Sequence, residues 1–315
     1  MLQVDNLSKI YKVGTFGGKE LHAVSNVSFN LEGSEVVSLI GESGSGKSTI
    51  GKMILRLIKI SSGTISFNGV DISTINGGAL KEYYRKVQGV FQDPFSSYNP
   101  IFKADRIFEI VREEFFPDIR SKEWKTRVER CLESVGLNPQ HVLNKFPHQL
   151  SGGQLQRFLI ARALLLDIQL LIADEIISML DASTRIDVLN LLVELKARGL
   201  SILFITHDLS LAHYISERAI ILYRGCIAEM GETDKIFNNP MHPYTKMLMA
   251  SVPRLDKKWD PVDIGLSSQH VHNSHGCVYY ERCPMAEQSC SGSRPALIEI
   301  EPGHFASCRR LVTDV

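Results

Sequence analysis

The sequence predicts an α/β fold, and three observations carry that expectation. Apolar runs of strand length alternate with helical segments from residue 1 to about 250: EVVSLI precedes a glycine loop, LLIADE ends in two acids, SILFITH ends in a histidine, and AIILY follows. Runs this apolar read as buried parallel strands. Residues 41–48, GESGSGKS, lie between the first of these runs and the helical stretch STIGKMILRLI, which is the strand, loop and helix setting of a phosphate loop. The texture then changes twice. Between about Asp93 and Leu165 it becomes amphipathic and charge-rich, as in RSKEWKTRVERCLESVGL, and after Pro253 it turns polar, with Pro, Gly and Ser interleaved among cysteines. The expected organisation is a P-loop core domain over 1–253, a helical subdomain insert over about 93–165, and a small separate appendage over 254–315.

Composition narrows the function classes. Lys and Arg total 35 and Asp and Glu total 35, a balance that argues against a strongly basic nucleic-acid binder. The N-terminal stretch MLQVDNLSKIYKV has no basic start followed by an apolar run and no small-residue cleavage site, so the chain is expected to stay in the cytosol. Six cysteines in 315 residues are too sparse for a disulfide scaffold, and 44% hydrophobic residues supply a core without staples. No apolar run approaches the roughly 18 residues that span a bilayer; even ALLLDIQLLIA is broken by Asp167 and Gln169. A membrane role would have to come through a partner.

The phosphate loop implies its own chemistry. Gly41, Gly44 and Gly46 let the backbone fold around an anion with N–H groups pointing inward, the helix start adds a favourable dipole, and Lys47 brings a full charge to the outer phosphates. Ser43, Ser45 and Thr49 complete the nucleotide-binding set, and the Ser48 hydroxyl can join a Mg²⁺ shell. A nucleoside triphosphate such as ATP is the expected ligand. Asp174 and Glu175 end the run LLIADE, where ligands gather in an open α/β sheet; Asp174 can hold Mg²⁺ through water, and Glu175 can orient or deprotonate the attacking water. His207 ends another strand on the same expected edge. QLSGGQLQR (149–157) is a second anion-reading helix start, with Ser151, Gly152, Gly153 and Gln154 ahead of a helical run.

LSGGQ lying between a phosphate loop and ADE resembles the signature of ABC-type ATPases, and other motifs fall in that family's order. Gln92 in VFQDP resembles the Q-loop, with a role on Mg²⁺. Asp181 in SMLDAS resembles the D-loop, His207 the switch histidine, and Tyr11 in KIYKV the aromatic that stacks on adenine. The resemblance implies an ABC-type ATPase core and a dimer in which the signature of one subunit completes the ATP site of the other, with Glu175 and His207 as catalytic residues. One departure stands out: after Glu175 the family usually has Pro-Thr, and this chain has Ile176 and Ile177, followed by Met179.

The stretches FQDPFSSYNP (91–100) and NPMHPYTKMLMASVP (239–253), together with the tail, resemble the oligopeptide/dipeptide/nickel importer family, and FSSYNP and SGGQLQR its second ATPase. That implies an ATP-hydrolysing motor subunit for import of di- or oligopeptides, with oligosaccharides or nickel and metal chelates as alternative cargo. A soluble ABC ATPase outside transport is the remaining class. The implied partners are a second related ATPase, in a heterodimer or a homodimer, two transmembrane permease subunits, and, indirectly, an extracytoplasmic substrate-binding protein. No nucleic acid is expected. The implied place is peripheral, on the cytoplasmic face of the membrane.

Cys277, Cys283, Cys290 and Cys308 crowd the tail, while Cys131 and Cys226 read as packing residues. In a polar tail with few apolar residues, such clustering favours a metal centre. The spacings fit neither a zinc knuckle nor a bacterial ferredoxin run, so they leave the metal open. Resemblance to peptide-importer ATPases implies a [4Fe–4S] cluster, with Zn²⁺ as the alternative because His270, His272, His275 and His304 offer nitrogens nearby.

Overall fold

The computed structural model describes residues 1–14, 18–251 and 276–311. The chain opens with β1 (Leu2–Val13), β2 (Lys19–Leu31) and β3 (Val36–Ile40), then α1 (Lys47–Ile54), β4 (Ser62–Phe67) and β5 (Val70–Asp71). Next come α2 (Gly77–Lys86), β6 (Val87–Val90), α3 (Arg106–Phe115), α4 (Ser121–Ser134), α5 (Pro139–Val142), α6 (Gly152–Leu164), β7 (Leu170–Asp174) and α7 (Ala182–Ala197). β8 (Ser201–Thr206), α8 (Leu209–Ile215), β9 (Arg218–Tyr223), β10 (Cys226–Glu232), α9 (Thr233–Asn238) and α10 (Pro243–Ala250) follow, and β11 (Ile298–Glu301) and β12 (His304–Ala306) belong to the tail. The apolar runs form the expected strands. β3, β7 and β8 are buried along their whole length, as Val, Ile and Leu require on a surface covered from both sides.

The chain divides into two compact units: Met1–Leu31 with Val36–Ser73 and Phe204–Val315, and Glu32–Glu35 with Thr74–Leu203. The first unit contains an antiparallel sheet in the order β2, β1, β4, β5. Its other strands run from β3, parallel to β9, through the antiparallel neighbours β10, β12 and β11. Arg224 and Gly225, at φ 43° and 79°, close the β9–β10 hairpin, the left-handed pair that a tight two-residue turn needs. Composition suggested a separate appendage, but the tail adds β12 and β11 to this sheet, with Met230 opposite Phe305 and Gly231 opposite His304. Edge pairing uses backbone groups, so a polar tail can join a sheet without an apolar run.

A buried carboxylate fastens that junction. Glu229 on β10 is fully buried and accepts hydrogen bonds from the Met241 amide at 2.9 Å, the His242 amide at 2.7 Å and His304 Nε2 at 2.7 Å. A carboxylate at such depth is tolerated only when donors surround it.

The second unit holds the helical insert within a larger body. β6 runs parallel to β7, with Val87 beside Leu170 and Val90 beside Ala173. α4 buries Trp124, Val128 and Leu132, one stripe at helical spacing. Phe108 of α3 stacks on Phe158 of α6 with ring centroids 5.1 Å apart.

Candidate functional site

The phosphate loop lies in the first unit. Gly46 caps α1 at φ 102°, and a Cβ there would fall 2.4 Å from the Ala23 carbonyl oxygen, so only glycine fits. Lys47 is buried, and its Nζ donates to the carbonyls of Gly41 at 2.8 Å and Glu42 at 2.9 Å. These bonds hold the ammonium inside the loop. The first turn of α1 carries no acidic residue, so nothing opposes an anion at that helix start. Ser48 and Thr49 are half-buried on that turn, Ser45 is buried, and Ser43 and Gly44 are exposed. Tyr11 is half-buried on β1 with the Lys9 ammonium 4.9 Å from its ring centroid. His207 is exposed just after β8.

The second unit carries the remaining nucleotide motifs. Asp174 ends β7 almost fully buried. Glu175 sits at φ 51°, a left-handed conformation that costs on the order of 1 kcal/mol and persists only when its surroundings impose it. Here the Glu175 carbonyl accepts from the Ser178 amide at 3.1 Å and the Ser178 hydroxyl at 2.9 Å. Ile176 and Ile177 are only 1% and 2% exposed. The isoleucines that replace Pro-Thr therefore act as apolar anchors for the turn that presents Glu175.

The signature is a capped helix start. The Ser151 hydroxyl accepts from the Gln154 amide at 3.2 Å, and the Gln154 side chain accepts from the Ser151 amide at 2.9 Å, a reciprocal capping box. Asp181 caps α7 by accepting from the Ser183 hydroxyl at 2.6 Å, the Thr184 amide at 3.0 Å and the Thr184 hydroxyl at 2.8 Å. Those bonds, the Ser183 hydroxyl first, hold its carboxyl well below the usual carboxylate range. The two motifs touch: a Cβ on Gly153 would lie 2.3 Å from Thr184 Cγ2. Gln92 is exposed after β6, and its neighbourhood is tied to α6 by residues that sequence reasoning missed. Gln156 Nε2 donates to the Phe91 carbonyl at 3.3 Å, Arg162 to the Gly89 carbonyl at 3.0 Å, and the Tyr98 hydroxyl to the Leu155 carbonyl at 3.2 Å. Tyr98, in FSSYNP, was the one available signal.

In the same unit a groove of about 580 Å³ runs between α3 and α4. Ile101 and Phe102 at its rim are 77% and 53% exposed, and Phe108, Trp124, Val128 and Phe146 line it.

In the first unit Cys277, Cys283, Cys290 and Cys308 line one pocket with His242, Arg309 and Arg310. All six cysteines are free. Burial, with a smaller push from Cys290 and Cys308, raises the Cys277 thiol, and burial likewise raises Cys283. Among the described residues no group of three or more His, Cys, Asp and Glu side chains is arranged to hold a metal ion. His304 is absent from the pocket lining because its Nε2 is committed to Glu229. His270, His272 and His275 lie outside the described residues. His242 does line the pocket, and no motif around it pointed there.

Residues 24–178 match the family model described as ABC transporter, and residues 228–290 match one described as the C-terminal region of oligopeptide/dipeptide transporters. Over 98% of this chain and 98% of the relative, the sequence is 40% identical to a putative peptide import ATP-binding protein of Brucella ovis. The chain belongs to the ABC transporter family. This ABC cassette is also 38% identical to the oligopeptide transport ATP-binding protein OppF of Salmonella typhimurium, over 93% of the chain and 89% of that protein. Its fold is similar to the ATP-binding cassette MJ0796, solved as a dimer in a post-hydrolysis state with ADP and Pi. That likeness has a TM-score of 0.66 and 30% identity over 74% of this chain and 99% of the other. No helix of the cassette's described residues is long and apolar enough to cross a membrane.

Proposed function

We propose that this cassette is the ATP-hydrolysing motor of an importer for di- or oligopeptides, acting with a related ATPase on two membrane permeases. The observation that carries this reading is the C-terminal region. Residues 228–290 match the oligopeptide/dipeptide transporter model, and the relatives that share most of the length are named for peptide import or oligopeptide transport. Lys47 anchors the outer phosphates. Ser48, Gln92 and Asp174 bring the oxygen donors that Mg²⁺ takes, and the bound ion neutralises charge building on the phosphates. Glu175 orients and deprotonates the attacking water, assisted by His207. Ser151, Gly152, Gly153 and Gln154 read the nucleotide of the partner ATPase, a role consistent with the dimeric ADP-bound relative. FSSYNP and SGGQLQR favour a heterodimer, and Tyr11 takes the adenine ring. The apolar groove behind Ile101 and Phe102 suits a short permease helix, so the cassette sits peripherally on the membrane and nucleotide-driven motion passes through that contact.

We infer that Cys277, Cys283, Cys290 and Cys308 would hold a [4Fe–4S] cluster, a reading supported by their shared pocket, although the described residues hold no preformed metal site. Four free thiols share one lining without a carboxylate, and Arg309 and Arg310 line the same pocket. The same four thiols would also serve a single zinc ion, and metal analysis separates the two. When bound, the cluster supplies one-electron redox chemistry and a crosslink for the tail.

Co-expression with candidate permeases and a second ATPase, followed by reconstitution in vesicles, tests the motor reading. Peptide-stimulated ATP hydrolysis and peptide uptake are expected. Stimulation by oligosaccharides or nickel chelates alone would replace the cargo assignment, and purification with soluble partners only would end the transport reading. Anaerobically purified protein should be brown, with iron and acid-labile sulfide; colourless protein with stoichiometric zinc would remove the cluster.

A further inference from the structure

We propose that Tyr244 and Arg282, which lie outside every nucleotide motif, are positioning residues that clamp the phosphate loop through Glu42. Glu42 is the second residue of GESGSGKS. Its amide donates to the Tyr244 hydroxyl at 3.1 Å, and its two carboxylate oxygens accept from Arg282 Nη1 at 3.0 and 3.2 Å. Its carbonyl accepts from Lys47 Nζ at 2.9 Å and from the Ser45 amide at 3.1 Å. Every polar group of Glu42 is thus used, the carbonyl by the loop itself and the amide and carboxylate by residues 202 and 240 positions away. The same carbonyl that helps hold the phosphate-anchoring ammonium belongs to the residue the clamp grips.

The clamp is built on a rigid base. Tyr244 is fully buried, its ring 4.5 Å from Tyr223 and 5.4 Å from Tyr279, and Tyr279 meets Tyr223 edge-on at 5.1 Å. The Arg282 guanidinium lies 5.8 Å from the Tyr223 ring centroid. A second ion pair, Arg224 to Glu281 at 3.5 Å, ties the same tail segment to the β9–β10 turn. Arg282 and Glu42 are 22% and 40% exposed, so their attraction adds little to global stability. Its effect is local: it selects one conformation of a loop that must place its amides and Lys47 on phosphate before ATP arrives, and preorganisation of that kind appears as affinity. The tail is therefore part of the nucleotide site.

The test uses the full chain assembled with its partner ATPase and permeases, with Mg-ATP titrated in steady state and a fluorescent ATP analogue titrated at equilibrium. Arg282→Ala should raise KM and the analogue Kd by about two- to fivefold, with a much smaller fall in kcat and an unchanged melting temperature. Tyr244→Phe removes only the hydroxyl, leaves the aromatic block in place, and should shift KM in the same direction. Arg282→Lys, which keeps the charge but loses the planar guanidinium that reaches Glu42 beside the Tyr223 ring, should fall between parent and Ala. In the double variant Glu42→Gln with Arg282→Ala, the losses should saturate rather than add. Parent-like ATP affinity in both Arg282→Ala and Tyr244→Phe would overturn the proposal, as would additive losses, or affinity that falls only in step with melting temperature.

Discussion

Gly153→Ala asks whether the signature helix and the D-loop helix are packed as one body. The added Cβ would fall 2.3 Å from Thr184 Cγ2, whereas at Gly152 the nearest atom, Leu180 Cδ2, is 3.7 Å away. Carbon atoms rest at roughly 3.5–4.0 Å, so α6 and α7 must separate by about 1 Å or Thr184 must turn. Thr184 resists turning because its amide and hydroxyl both bond Asp181, at 3.0 and 2.8 Å. Overpacking of this kind costs about 1–3 kcal/mol, and the better helix propensity of alanine returns at most about 1 kcal/mol. A net loss of about 1–2 kcal/mol is expected for Gly153→Ala, against neutrality or a gain of a few tenths of a kcal/mol for Gly152→Ala. Urea denaturation followed by circular dichroism measures both. Thr184→Ser deletes the clashing methyl and keeps the hydroxyl on Asp181, so combining it with Gly153→Ala should recover most of the loss. If the two alanine variants unfold at the same urea concentration, or the serine fails to rescue, the packing argument is wrong.

Glu175→Gln should abolish phosphate release in the assembled transporter while nucleotide binding survives; turnover at the parent rate would remove Glu175 as the base. Phe102→Asp, placing a charge at the rim of the apolar groove, should prevent co-purification with permeases and leave ATP binding intact, and an undiminished complex would redirect the search for the membrane contact. Burial, opposed by Glu229, holds the His242 imidazole down at about 4, with Tyr279, His304 and the pocket cysteines as its other titratable surroundings. The unfolded imidazole titrates near 6.5, so between about pH 6.5 and 4 the unfolded chain binds the extra proton, and stability falls as pH drops, by up to about 3 kcal/mol. Urea midpoints across that window should slope less in His242→Gln than in the parent; equal slopes would assign the acid sensitivity elsewhere.

What could be read from sequence shared one property: its cause lies within a few residues. The buried strands announce themselves as apolar runs, GESGSGKS places Lys47 by its own glycines, and the Ser151 and Gln154 box is spelled at the three-residue spacing of a helix start. What escaped depends on distance along the chain. Tyr244 and Arg282 reach Glu42 across 202 and 240 residues, and nothing in either neighbourhood mentions a phosphate loop. IEIE at 298–301 pairs through its backbone at a sheet edge, and its alternation is too short and polar to separate from coil. Gln156 and Arg162 are read naturally as helix polarity until Phe91 and Gly89 are seen to need donors. The left-handed turn at Glu175 could not be anticipated from Ile176 and Ile177, whose type indicates burial and not backbone sign.

Glu229 and His304 are separated by 75 residues, and that interval has a meaning while the protein is being made. At a synthesis rate of about 5–20 residues per second, β10 waits roughly 4–15 s for β12. For that time one ladder of N–H and C=O groups along β10 is open to any passing strand, and the Glu229 carboxylate has the Met241 and His242 amides but lacks its third donor. The arrival of the same three residues, His304–Ala306, thus closes the sticky edge and brings the last of the donors to the Glu229 carboxylate.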